Sequence, residues 1–311
     1  MTGAPLHLRT RGAHSPGDRL AQMLAEQTGD VGRPFRWENV TQRGDLDQPG
    51  GGDRRRQGPA VLARGVPSVA VDLSGHGLSS RSPQARWARP FSAGQFATEP
   101  SPVSGITTAS AVATLIEQIR LIGNGEPCVV VAHSMAGVVA TQAAELAPEL
   151  FAHLVHVSAY APITGSVIDY AALPEAADAG VTDLLTADPD VVGALRYDTG
   201  DPSRRSAFRE VFSADVDIET ADAAIGLLSS DAPLLPSLDR VTVTASRYGS
   251  IPHTYVVCTQ DRAIPEALQR RFVRDIDEVC GAGTNVVTLE TSHSPFLSQP
   301  AALADAILTS W

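Results

Sequence analysis

Two rhythms of apolar residues alternate along most of the chain. From Thr107 to Ile122, Ala111, Leu115, Ile119 and Ile122 recur at three- and four-residue steps, which predicts a helix with one buried face. After a turn over 123–127, Cys128-Val-Val-Val-Ala132 is apolar at every position, as expected of a strand covered on both faces in a parallel sheet. The pattern continues with a helix over Val138–Ala147 and a strand over Leu154–Ala159. Further on come the strand Thr254–Cys258, a helix over Pro265–Val279, the strand Val286–Leu289 and a last helix over Ala301–Leu308. Upstream, Val61–Arg64 reads as a helix end stopped by Gly65, Ser68–Leu73 as a short strand, and Ser74–Ser104 as a loop. Strands alternating with helices at this spacing predict an α/β fold built on a doubly wound, mostly parallel sheet.

Two stretches break the rhythm. Residues 163–245 carry short helical segments, Asp183–Leu185, Ser203–Phe212 and Thr220–Leu228, separated by Pro and Asp turns. They read as a helical cap inserted into a core made of 61–162 and 246–311. Residues 1–60 hold nine Arg and seven acids, and 49–58 have the composition of a linker. Only Leu20–Ala25, with Leu20, Met23 and Leu24 on one side, looks helical there. The segment 1–60 is therefore expected to be an atypical, polar N-terminal part.

Composition narrows the chemistry. The 311 residues are 43% hydrophobic and 19% charged, as in ordinary globular proteins. They contain no run of 18 apolar residues, and the polar Met1–Gly12 lacks a signal core, so neither a membrane span nor secretion is expected. The net charge of −11 disfavours nucleic acid as a partner. All 24 basic residues are arginine. Without lysine, Schiff-base chemistry, a pyridoxal-phosphate anchor and a lysine-dependent phosphate loop are excluded. Cys128, Cys258 and Cys280 are widely spaced, two of them inside apolar runs, and read as buried free thiols in a reducing cytoplasm. No metal site and no cofactor are expected.

The sharpest chemical signal is Val131-Ala-His-Ser-Met-Ala-Gly137, a serine between a buried strand and a helix. A nucleophile raised above a sheet on such a turn needs small neighbours two residues away, and Ala132 and Ala136 are small. The following helix start directs amides, that of Met135 first, at a developing oxyanion. Asp261 follows the strand Thr254–Cys258, and His293 follows the strand Val286–Leu289. All three thus lie past the C-terminal ends of parallel strands, where sites of open α/β sheets form. Their chain order, Ser then Asp then His, is that of one hydrolase architecture.

With the stretches Val71–Ser79, Ala132–Gly137, Leu154–Pro162, Cys258–Pro265 and His293–Pro300, the chain over about 61–311 resembles α/β-hydrolase-fold enzymes. Within that fold it resembles the branch of small serine esterases, plant methyl esterases, polyneuridine-aldehyde-esterase-like proteins and hydroxynitrile lyases. The resemblance implies Ser134 as nucleophile, His293 as general base and acid, and Asp261 as the group orienting His293. It also implies cleavage of a small-molecule carboxylic ester, lactone or thioester through an acyl-enzyme. The family has an apolar strand ahead of the Asp72 stretch, followed by a second oxyanion amide. The nearest counterpart is Leu6–Ser15, which would make Ala13 that donor, although Arg9 and Arg11 suit a buried strand poorly. The lyase branch carries lysine directly after the histidine, where this chain has Ser294. The alternative to an enzyme is a degenerate hydrolase fold that binds a ligand or partner; a homodimer is left open.

Overall fold

The computed structural model describes residues 35–38 and 64–309. Six strands form one sheet: β1 (Phe35–Glu38), β2 (Ala70–Val71), β3 (Cys128–Ser134), β4 (Phe151–Ala159), β5 (His253–Cys258) and β6 (Asn285–Leu289). Their spatial order is β6-β5-β4-β3-β1-β2, and every neighbouring pair is parallel. This is the α/β architecture expected from the alternation.

The sheet is covered on both sides, which is why Cys128–Ala132 of β3 is apolar at every position. Cys128, Val130 and Ala132 face one layer, packed with α1 (Thr108–Gly123), α2 (Ala136–Leu146) and α5 (Glu266–Val279). Val129 and Val131 face the other, with Leu303, Ala304 and Ile307 of α6 (Pro300–Leu308). In chain order between α2 and α5 come α3 (Arg205–Phe212) and α4 (Ile218–Gly226), in the long segment that links β4 to β5. The face of α1 read from periodicity is half-buried at Ile122 and buried at Ala111, Leu115 and Ile119. Each such Leu or Ile contributes about 1.5–3 kcal/mol of hydrophobic stabilisation. α1 begins at a reciprocal cap, Thr107 with Ser110, and ends at Asn124 in the left-handed conformation.

The N-terminal expectation needs correction. Residues 35–38 form a strand between β2 and β3, with Trp37 opposite Ala70 and Val131, and Glu38 opposite Val71 and Ala132. The sequence hides it because Arg36 and Glu38 interrupt the apolar run expected of an inner strand. Its signal is the alternation of Phe35 and Trp37 with charged residues. The helix read at Leu20–Ala25 and the strand read at Leu6–Ser15 lie outside the described residues. The expected loop 74–104 contains a helix over Ala93–Thr98, and the expected strand Ser68–Leu73 shrinks to two paired residues. All three cysteines are buried and unbridged. Among the described residues, no helix is long and apolar enough to cross a membrane.

Candidate active site

β3 ends in the serine turn. Ser134 has φ +56, a left-handed conformation that costs a residue with a Cβ and persists only where surroundings enforce it. Here the Ser134 carbonyl accepts from Tyr160 N at 3.1 Å, and α2 starts two residues on. Ala132 and Ala136 are buried completely or nearly so, as the turn requires of small neighbours. Gly137 is needed for close approach: a Cβ there would collide with the Tyr160 carbonyl oxygen and lie 2.9 Å from Ala159 Cβ.

The loops after β5 and β6 are zipped together, Thr259 N donating to Leu289 O at 3.0 Å and Gln260 N to Thr291 O at 2.9 Å. They bring Asp261 and His293 to the serine. Ser134 Oγ lies 2.9 Å from His293 Nε2, and His293 Nδ1 lies 2.8 Å from Asp261 Oδ2. In the neutral ring Nδ1–H donates to the carboxylate, which leaves Nε2 to accept from the serine hydroxyl. The other carboxylate oxygen accepts from Ala263 N at 2.6 Å and Ile264 N at 2.9 Å. His293 and Asp261 are both buried, at 2% and 5% exposure, so this chain of bonds is shielded from water.

Sequence reasoning missed two supports. Gln269, a polar residue on α5, is fully buried. Its side chain accepts from Cys258 N at 2.9 Å and donates to Cys258 O at 2.9 Å and Ile264 O at 2.7 Å, bracing the loop that carries Asp261. Ser158, at the end of β4, donates to Asp261 Oδ2. Neither residue carries a motif.

The remaining candidates sort themselves by contact. His133 Nε2 donates to the His293 carbonyl at 2.8 Å, and its ring lies 4.5 Å from the His293 ring. Burial, and secondarily the neighbouring His293, holds its pKa well below the usual imidazole range, so it is neutral packing beneath the site. Asp72 Oδ2 accepts from Leu78 N at 2.9 Å, a loop cap. The Glu99 carboxylate caps Gln84 N and Ala85 N, and Phe96 is buried, whereas Trp87 is 68% exposed. His76 Nδ1 donates to Ser74 O at 3.2 Å, and burial lowers its pKa. His76 and Met135 line a cavity of about 30 Å³ with Leu73, Ile106, Leu195 and Pro233. Met135 opens α2, where the first amides have no partner within the helix. Ala13 lies outside the described residues. β1 ends beside the site, since Glu38 pairs with Ala132, two residues before Ser134.

Residues 49–306 match the profile described as the alpha/beta hydrolase family. The chain belongs to that family. Among curated proteins, this hydrolase is 26% identical to Methylesterase 7 of Arabidopsis thaliana over 202 residues, 62% of this chain and 73% of the relative. It is 26% identical to a pyrethroid hydrolase of Sphingobium wenxiniae over 182 residues, 58% of this chain and 61% of that one. Among solved structures, a pyrethroid hydrolase from Sphingobium faniae JZ-2 superposes with TM-score 0.64 at 20% identity, covering 88% of this chain and 95% of that chain. Polyneuridine aldehyde esterase superposes with TM-score 0.60 at 18% identity, covering 90% and 99%. At these identities the superpositions speak for the fold.

Proposed function

We propose that this hydrolase cleaves a small-molecule carboxylic ester through a serine acyl-enzyme. The observation that carries the reading is the unbroken bond chain from Ser134 Oγ through His293 to Asp261. Ser134 Oγ attacks the ester carbonyl carbon while its proton passes to His293 Nε2. Asp261 holds the ring and stabilises the imidazolium, and the Met135 amide donates to the oxyanion. Collapse of the tetrahedral adduct breaks the carbon–alkoxy bond, and His293 returns the proton to the leaving alkoxide. Water then attacks the acyl-enzyme, giving its proton to His293, and the acid leaves as Ser134 is reprotonated.

Residues 163–245 serve as the cap in this reading. Leu195, Ala232, Pro233 and Pro236 of that segment share the cavity with Met135 and His76. The cavity, about 30 Å³, reaches Met135 beside Ser134. Its mostly apolar walls favour an uncharged alkyl or aryl group. The names of the relatives support ester chemistry, and three unbridged thiols fit a cytoplasmic setting.

The test is fluorophosphonate labelling of wild type and Ser134→Ala, read by intact mass, followed by a panel of carboxylic esters. One adduct and ester turnover in wild type, both absent from the variant, are expected. A folded wild type that takes no label and turns over no ester would overturn the reading in favour of a ligand-binding protein.

A further inference from the structure

β3 and β4 pair residue for residue from Val129–His153 to His133–Val157, but the next pair is Ser134–Ala159. Ser158 therefore has no opposite number on β3. It is the extra residue of a bulge, a device that bends a strand and re-aims a side chain. Its φ is +37, in the left-handed region that disfavours a residue with a Cβ. The bulge is clamped by one phenol: Tyr255 Oη donates to Ala159 O at 2.6 Å and accepts from Ala159 N at 3.1 Å. Tyr255 and Ser158 are both fully buried.

The bulge delivers the Ser158 hydroxyl to one place. It donates to Asp261 Oδ2, the oxygen that also receives the His293 Nδ1 proton, and it lies 3.4 Å from Nδ1 itself. Two backbone amides hold Oδ1. Ser158 is the close second donor on Oδ2, since Gln269 Nε2 stands 3.5 Å away. With both oxygens fixed, the carboxylate cannot rotate about its Cβ–Cγ bond, and the direction of the His293 ring is set.

We propose that Ser158 is a positioning residue, a fourth member of the chain Ser134–His293–Asp261, acting on His293 through the orientation of the Asp261 carboxylate. The proposal rests on the reading of those three residues as the reacting set. Ser158 touches neither substrate nor the attacked carbon. Its effect falls on the geometry in which Nε2 meets Ser134 Oγ, so it belongs in kcat rather than KM.

The experiment compares Ser158→Gly and Ser158→Ala with wild type in the full chain. Glycine accepts the positive φ, so it keeps the bulge while removing the hydroxymethyl side chain; alanine removes only the hydroxyl and keeps the backbone strain. Both variants are expected to lose roughly 10- to 100-fold in ester kcat, the scale of a misdirected reacting group, with KM changed less than about twofold. The glycine variant is expected to melt no lower than wild type. A merely structural serine would make activity follow stability, with glycine retaining wild-type kcat, and that result would overturn the proposal. The second readout needs no turnover: the ¹⁵N shifts of the His293 ring, which report its tautomer and the Nδ1–H bond, are expected to move in both variants. Unmoved shifts in folded variants would overturn the proposal too. If wild type itself takes no fluorophosphonate and cleaves no ester, the hydrolase reading falls, and the ¹⁵N shifts alone still decide for or against Ser158.

Discussion

Asp261→Asn exchanges one carboxylate oxygen for an amino group, and the contacts around it fix which one. Oδ1 accepts from the amides of Ala263 and Ile264 at 2.6 and 2.9 Å, donors that only an oxygen satisfies. The asparagine NH₂ must then occupy the Oδ2 position, facing His293 Nδ1 across 2.8 Å. Two N–H groups cannot share that line, so Nδ1 gives up its proton and accepts. The single ring proton moves to Nε2, where it donates to Ser134 Oγ across 2.9 Å. The imidazole can no longer take the serine proton. Inverting a tautomer in this way costs about 10⁴ in turnover. That is about 5 kcal/mol of transition-state stabilisation. The substitution is nearly isosteric, so folding should survive. The assay is kcat for an activated ester at neutral pH beside the melting temperature. A folded Asn variant with kcat within tenfold of wild type would show that His293 does not depend on Asp261 for its proton placement.

Three further outcomes follow from the packing. Gly137→Ala drives a Cβ into the Tyr160 carbonyl, an overpacking cost of about 1–3 kcal/mol against main chain that cannot rotate away; thermal melts should fall, and an unchanged melting temperature would contradict the close approach. Arg196 is fully buried, bonding Asp231 through Nε and Nη2 at 2.8 and 2.7 Å and the carbonyls of Phe96 and Glu99 through Nη1. Arg196→Ala strands the buried Asp231 charge and should cost about 3–5 kcal/mol in urea unfolding, so a loss below 1 kcal/mol would refute it. Burial pulls the pKa of His156 down to about 3 and that of His253 to about 4, against 6.5 for a free imidazole. The unfolded chain therefore takes up these protons first, and stability present at pH 7 drains as pH falls below 6.5 towards those values. At pH 5 each buried imidazole has cost about 2 kcal/mol, so the melting temperature should drop between pH 7 and pH 5, and a flat profile would refute it.

How much of this was legible in the sequence depends on how many neighbours a residue needs to declare its role. Cys128–Ala132 of β3 and Tyr255–Cys258 of β5 are apolar because helices cover both faces of the sheet, and an apolar run states that directly. Ser134 ends a strand and Asp261 and His293 each follow one, so the sheet itself brings them together. β1 escaped because four residues with Arg36 and Glu38 among them look like a polar loop until β2 and β3 supply pairing partners. Gln269 sits on a helix rich in charge and reads as surface; its burial is explained by the Cys258 amide and the Cys258 and Ile264 carbonyls that it satisfies. Ser158 depends on a register slip between two strands, and no single-strand pattern encodes a slip.

The same dependence on neighbours bears on how the long segment between β4 and β5 can vary. It does more than wall a cavity. Gly180 N donates to Arg262 O at 2.8 Å, the residue after Asp261. Ser292, the residue before His293, donates to Asp215, and its hydroxyl lies 3.5 Å from Phe212 O. The Phe212 ring lies 5.7 Å from the His293 ring. One segment thus touches the loop of Asp261, the loop of His293 and, through Leu195 and Pro233, the space beside Met135. A substitution that enlarges the space over Met135 leaves the Asp261 and His293 loops alone when it falls at Leu195 or Pro233. One at Phe212 or Gly180 moves the machinery along with the pocket. Changes of substrate preference at constant turnover are therefore expected from the former pair of positions and not from the latter.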